Sequence, residues 1–189
     1  MKKNLLKGAA ASVIVLTTLA FTTMKKEINI KESTVTWTGK KVTGTHTGTI
    51  QLKSGFFNME DDKLVGGEFV MDMTSISNTD LSGDSKGKLE GHLKSEDFFG
   101  VEKHPTSKLV ITSIASKGNG SYGVVGNLTI KNITKPVTFD LEMKDNSAQA
   151  KLSIDRSKYD VKYGSGSFFD DLGDKTIYDN FDLDVNLKF

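Results

Sequence analysis

The chain has 189 residues, of which 37% are hydrophobic and 26% charged, with no cysteine and a formal net charge of +1. The near-neutral charge argues against nucleic acid or an anionic membrane surface as a partner. The lack of cysteine excludes a disulfide framework, and a chain of this length can bury a sufficient core as one domain without one.

The first 23 residues have the pattern of a secretory signal peptide. Three lysines within the first seven residues precede the apolar run Ala9 to Leu19, and small residues follow. The run has about a dozen residues, whereas about 20 are needed to cross a bilayer, so a membrane anchor is the less favoured alternative. We predict a signal peptide at 1–23 and a mature domain at 24–189 that is periplasmic or secreted, with no stable membrane insertion.

A two-residue period dominates the chain after Glu27. Apolar side chains alternate with Thr, Asp, Glu, Lys and Asn, which is typical of antiparallel strands with one dry face and one wet face. The apolar positions that alternate in this way include Val35 and Trp37, Ile50 and Leu52, Phe69 to Met73, Tyr122 to Ile130, Val137 to Met143, Ala148 to Ile154, and Phe181 to Phe189.

The segment Asn78 to Pro105 interrupts this alternation. Apolar residues between Leu89 and Phe99 lie near helical spacing, and Ser95 before two acidic residues is a suitable N-cap. We therefore predict one or two short helices around residues 84–100, ended by the proline.

About eight one-sided strands must bury their dry faces, either by packing two sheets together or by closing one sheet. Closure removes exposed edges, which favours an all-β antiparallel barrel. An eight-stranded barrel has room for side chains or for one ligand, so the architecture permits ligand binding without requiring it.

Two motifs resemble catalytic or cofactor sequences but have simpler explanations. Gly118 to Gly123 matches the dinucleotide fingerprint, yet a strand follows it, so Asn119-Gly120 indicates a hairpin turn. Gly83 to Gly87 matches a nucleophile elbow, but the preceding segment is polar rather than a buried strand, which favours a loop. The three histidines lack metal-ligand spacing, so we predict neither a catalytic residue nor a metal site.

Three segments closely resemble motifs of the YceI-like polyisoprenoid-binding family. They are His92 to Pro105, Gly126 to Val137, which fits the pattern G-x-L-T-I-x-x-x-T-K-P-V, and Ile154 to Tyr159, which fits D-R-S-x-[YF]. The likeness extends from about Trp37 to Phe189. It implies an extended eight-stranded antiparallel lipocalin-like barrel that is exported and holds an isoprenoid tail in its interior.

Phe98 and Phe99 are the first candidates for contact with such a lipid. We expect a short helix after Ser95 to carry both rings, which either close one end of the interior or touch the ligand. Plain filling of the core is the alternative.

Arg156 is a candidate for a phosphate or other polar head group, because a guanidinium can chelate such oxygens. A structural ion pair with Asp155 or Asp160 is the favoured alternative. Tyr159 and His92 are weaker candidates for the same head group.

The resulting hypothesis is a non-catalytic protein that binds and carries a polyprenyl chain, quinone or polyprenyl phosphate, with no cofactor. Its partner is an apolar small molecule, and both monomer and homodimer remain open. One alternative is a stress-related barrel that captures diverse hydrophobic compounds. Another is an enzyme acting on an isoprenoid, for which His92, Ser85 and the aspartates are the candidate groups.

Overall fold

The computed structural model describes residues 23–189, so the predicted signal peptide lies outside the described residues except for Thr23. Within this range, no helix is long and apolar enough to cross a membrane. The strands and helix are β1 (Met24–Glu27), β2 (Thr34–Lys41), β3 (Gly44–Glu60), β4 (Lys63–Asn78), α1 (Gly83–Lys94), β5 (Thr106–Gly118), β6 (Ser121–Ile130), β7 (Ile133–Lys144), β8 (Ser147–Asp155) and β9 (Ile177–Lys188).

Strands β2 to β9 form a closed antiparallel barrel. Each strand pairs with the next along the chain, and β9 pairs with β2 to complete the ring. The short β1 pairs with the last part of β3, beyond the segment that β2 covers. The predicted eight-stranded lipocalin-like barrel is therefore confirmed, with one further short strand on its wall.

The hairpin between β5 and β6 has the predicted tight turn. Asn119 has a φ of 53° and Gly120 a φ of 80°, as a type I′ turn requires at both central positions. A Cβ on Gly120 would lie only 2.2 Å from the carbonyl oxygen of Met143, so the close approach of strand β7 also requires glycine here.

The helix α1 confirms the predicted helical region but corrects its details. Ser95 ends α1 instead of starting a helix, because its backbone N–H and its hydroxyl both donate to the His92 carbonyl, at 3.1 and 2.7 Å. Phe98 and Phe99 therefore lie in turns after the helix. The predicted N-cap at Ser95 is wrong, because its side chain bonds backward to the last turn of α1.

The loop predicted at Gly83 to Gly87 is also helical, since these residues begin α1. Glu90 on the same helix fastens α1 to the barrel, where its carboxylate accepts hydrogen bonds from the Asn78 backbone N–H and the Ser77 hydroxyl, each at 2.8 Å. These two bonds hold the pKa of Glu90 below its usual value. This anchorage places α1 across one end of the barrel, which we call the helix end.

The opposite end, which we call the far end, is plugged by aromatic rings. Phe57 packs edge to face against Phe69 and Phe189, with ring centroids 5.1 and 5.5 Å apart, and Phe57 is completely buried. Edge-to-face pairs of this kind stabilise a core beyond the burial of their area. The barrel interior is therefore closed behind Phe57.

Candidate ligand cavity

An apolar cavity of about 190 Å³ lies inside the barrel, between the helix end and the aromatic plug. All eight barrel strands contribute side chains from their dry faces, as the two-residue period predicts. The residues that line it are Val35, Trp37, Gly39, Ile50, Leu52, Phe57, Phe69, Met71, Met73, Ile76, Leu93, Phe98, Phe99, Ser107, Leu109, Ile111, Leu128, Ile130, Phe139, Leu141, Ala150, Leu152, Arg156, Ile177, Tyr178, Phe181, Leu183, Val185 and Leu187.

Phe98 and Phe99 close part of the helix end. Their rings lie edge to face at 5.0 Å, and Phe99 also packs against Phe181 on β9 at 6.3 Å. Both rings line the cavity, and Phe98 is buried. The turns after α1 therefore bring both phenylalanines to the wall where a bound apolar chain would lie.

Arg156 is the charged residue of this lining, and its side chain is 2% exposed. Its guanidinium donates to three backbone carbonyls, those of Val161 at 2.7 Å, Ile177 at 2.9 Å and Tyr178 at 3.2 Å. Burial lowers the pKa of Arg156, and the charge of Asp179 opposes that shift.

The predicted pairing of Arg156 with Asp155 or Asp160 is wrong. Asp179 is the carboxylate beside Arg156, at 3.4 Å. Asp155 accepts hydrogen bonds from Ser157 instead, and Asp160 pairs with Lys162 at 2.7 Å. The difference arises because the guanidinium reaches across to β9, whereas its sequence neighbours face the surface.

An enlarged bulge between β2 and β9 explains why an arginine lies here. Gly39 pairs with Phe181 and Lys41 pairs with Ile177, so three residues of β9 stand opposite Lys40 alone. A bulge leaves backbone groups without ladder partners, and buried carbonyls must find donors elsewhere. Arg156 supplies those donors.

Tyr159 and His92 lie behind the cavity wall and do not line it. Tyr159 is 2% exposed and packs against Leu128 and Ile154. The His92 ring packs between Phe98 and Tyr163, with centroids at 5.4 and 4.3 Å. Contact of either residue with a ligand therefore requires a rearrangement, whereas Phe98, Phe99 and Arg156 are already in place.

Protonation of His92 should destabilise the helix end. Burial lowers the pKa of His92, and Nε2 is buried with no hydrogen-bond partner among the described residues. Because the unfolded chain binds the proton more tightly, the free energy of unfolding should fall as the pH drops below about 6.5. Urea unfolding between pH 7.5 and 5 should show a shallower decline in His92→Phe than in the wild type. Equal declines in both proteins would contradict the assignment to His92.

The bulge between β2 and β9 was missed at the level of sequence. Gly39 and Tyr178 lie at the bulge, and Trp37 stands on the same inward face of β2. A glycine inside a strand pattern often marks a bulge, so Gly39 was the available signal.

Among residues 23–189, no group of three or more His, Cys, Asp or Glu side chains could hold a metal ion.

A closed antiparallel barrel around one apolar cavity defines a lipocalin-like binding barrel. Residues 27–189 match the family described as the YceI-like domain. The chain belongs to that family.

The curated relatives carry the description UPF0312 protein. The chain is 36% identical to one from Shewanella denitrificans over 80 residues, which are 38% of this chain and 42% of that protein. It is 33% identical to one from Pseudomonas putida over 92 residues, 49% of this chain and 46% of that protein. The chain thus spans less than half the length of these relatives.

Solved structures show the same fold. Burkholderia cenocepacia BcnA superposes with a TM-score of 0.64 at 22% identity, covering 85% of this chain and 98% of BcnA. A polyisoprenoid binding domain from Saccharophagus degradans superposes with a TM-score of 0.61 at 12% identity, covering 89% of this chain and 97% of that domain. A mutant Campylobacter jejuni YCEI protein with a monobromobimane guest has a TM-score of 0.56 at 14% identity, covering 100% of this chain and 98% of its own.

Proposed function

We propose that this protein binds a long isoprenoid lipid in its barrel and carries it in the periplasm or outside the cell, without chemical change. The observation that carries the proposal is the cavity, to which every barrel strand contributes apolar side chains. The likeness in fold to a polyisoprenoid binding domain supports the same class of ligand.

The energetics suit a ligand recognised mainly by its tail. Each buried CH₂ contributes about 0.8 kcal/mol, so each five-carbon unit contributes several kcal/mol before the cost of ordering the chain. Methionine and aromatic side chains in the lining, such as Met71, Met73 and Phe139, can adjust to a branched chain. Affinity should therefore follow chain length more than any single polar contact.

An uncharged end group fits this cavity better than a phosphate. Arg156 already donates to three carbonyls and lies beside Asp179, so its donors and its positive charge have partners within the protein. A phosphate beside Arg156 would have to displace the hydrogen bonds of the guanidinium or remain without a partner, and an unpaired buried charge is costly. A polyprenol or a quinone is thus favoured over a polyprenyl phosphate.

A binding role also suits the polar groups of the lining. Among its described residues, polar side-chain groups come from Trp37, Ser107, Tyr178 and Arg156. The indole N–H of Trp37 donates to the Thr49 carbonyl, and the carboxylate of Asp179 lies beside the guanidinium of Arg156. Neither Ser107 nor Tyr178 has a general base among the lining residues, and acid-base or nucleophilic catalysis needs such a partner within hydrogen-bond reach.

Mass spectrometry of lipid extracted from the exported protein tests the proposal. The wild type should yield one polyprenyl species in near-equal molar amount. Ala150→Phe, in which a ring fills the cavity, should be purified in parallel and should yield none. A mixture of unrelated hydrophobic compounds would favour the stress-related barrel. An empty wild-type protein would contradict the proposal.

A further inference from the structure

We propose that the ligand enters the barrel through its side, at the bulge between β2 and β9, where Gly39 and Tyr178 form the mouth. This inference rests on the proposed function, since it assigns the entrance of the same cavity. It also places the polar end of the bound lipid at that seam.

The first observation is a break in the wall. Pairing between β8 and β9 begins at Asn180, which stands opposite Asp155. Pairing between β2 and β9 omits the residues between Ile177 and Phe181. Tyr178 and Asp179 therefore have no ladder partner on either neighbouring strand, so backbone hydrogen bonds do not close the wall here.

The second observation is open space on the inner side of this break. Gly39 alternates with Val35 and Trp37 on the inward face of β2, and all three line the cavity. A Cβ built on Gly39 would meet no atom within 4 Å. The absence of a side chain at Gly39 therefore leaves a gap through which an apolar chain can pass.

The third observation is that Tyr178 lines both the cavity inside the barrel and a groove on its outer surface. It lines the apolar cavity although it is 52% exposed. It also lines a polar groove on the outer surface, together with Lys40, Ser153, Asp155, Asp179, Asn180 and Asp182. Interior and surface thus meet at Tyr178, and a lipid with its tail inside would leave its polar end in a hydrated groove.

Packed side chains obstruct the alternative routes. The far end is plugged by Phe57 and the rings beside it. The helix end is covered by Leu93, Phe98 and Phe99, which line the cavity from above. Arg156, bonded to the carbonyls of Ile177 and Tyr178, holds the rim of the bulge in place.

Single cysteines in this cysteine-free chain can test the mouth. Tyr178→Cys and Tyr163→Cys are matched, because both tyrosines are about half exposed at the same end of the barrel, 52% and 48%, and Tyr163 does not line the cavity. Each variant is labelled with a polyethylene glycol maleimide. Retinol, an isoprenoid alcohol, is the probe, and its association is followed by energy transfer from Trp37, the single tryptophan, which lines the cavity.

The label at position 178 should slow retinol association by about tenfold or more, since the diffusional approach is obstructed, and the label at 163 should change it by less than about twofold. Normal association with the label at 178, or equal slowing by both labels, would overturn the lateral mouth. Failure of the unlabelled wild type to bind retinol or a longer polyprenol would instead count against the proposed function.

A glycine pair gives an independent measurement. Gly39→Leu should slow association or abolish binding, because its side chain projects into the gap. Gly44→Leu is the control, since a Cβ there also meets nothing within 4 Å but lies at the start of β3 and outside the lining. Equal binding by the two variants would contradict a mouth at Gly39.

Discussion

Replacing Arg156 by alanine should lower the free energy of unfolding by about 3–5 kcal/mol, the range for breaking a buried charged network. The change removes donors from the carbonyls of Val161, Ile177 and Tyr178 and leaves Asp179 without its neighbouring cation. Each orphaned buried acceptor costs about 1–3 kcal/mol, so the loss of several together accounts for the size of the effect.

Two further variants identify the cause of that loss. Arg156→Lys keeps the charge but lacks the planar fork, so it should recover only a minor part of the stability. Lys158→Ala on the same turn removes a cation that is 63% exposed and should cost less than about 1 kcal/mol. Urea unfolding of the three variants measures these differences. Full stability in Arg156→Lys would show that the fork geometry is unimportant.

Replacing Ala150 by phenylalanine should reduce retinol affinity by about a hundredfold, since the lost tail contacts of a few CH₂ groups amount to about 2–3 kcal/mol. Ala150 lies on β8 opposite Leu141 and Val185, and all three side chains line the cavity. An added ring would therefore occupy space that a ligand needs. Because that space is empty rather than packed, the cost to folding should stay within about 1–3 kcal/mol.

The matched control is Gln149→Phe, which places the same ring on the preceding residue of β8, on its exposed outer face. Its retinol affinity, titrated through Trp37 fluorescence, should equal that of the wild type. Ala150→Leu adds a smaller side chain to the cavity and replaces Ala150→Phe in the test if the phenylalanine variant folds poorly. Unchanged affinity in a folded Ala150→Phe protein would remove the barrel interior as the binding site.

The inward faces of the strands could be predicted because side-chain direction in a strand follows from position alone. Val35, Leu52 and Leu141 were assigned to dry faces by alternation, and all three line the cavity. The Asn119-Gly120 turn was equally local, since its conformation depends on the two residues themselves.

The bulge at which we place the mouth could not be predicted in the same way. The hydrogen bonds of Arg156 to Ile177 and Tyr178 connect residues 21 and 22 positions apart, and the bulge that frees these carbonyls depends on the register of β2 against β9. Local periodicity carries no information on such a register shift. Ser95 was misplaced for a different reason, because its hydroxyl could bond either forward as an N-cap or backward to α1, and the sequence pattern does not distinguish the two.

The plug formed by Phe57, Phe69 and Phe189 closes the far end of the barrel, so a lipid that enters at the proposed side mouth can leave only by that mouth. On this proposal the lipid would enter tail first, and Phe57 would limit the depth that its hydrocarbon chain can reach. The order of release would follow from the same closure, because the chain would have to leave by the way it entered. An acceptor would therefore meet the polar end of the lipid first and draw the tail out last.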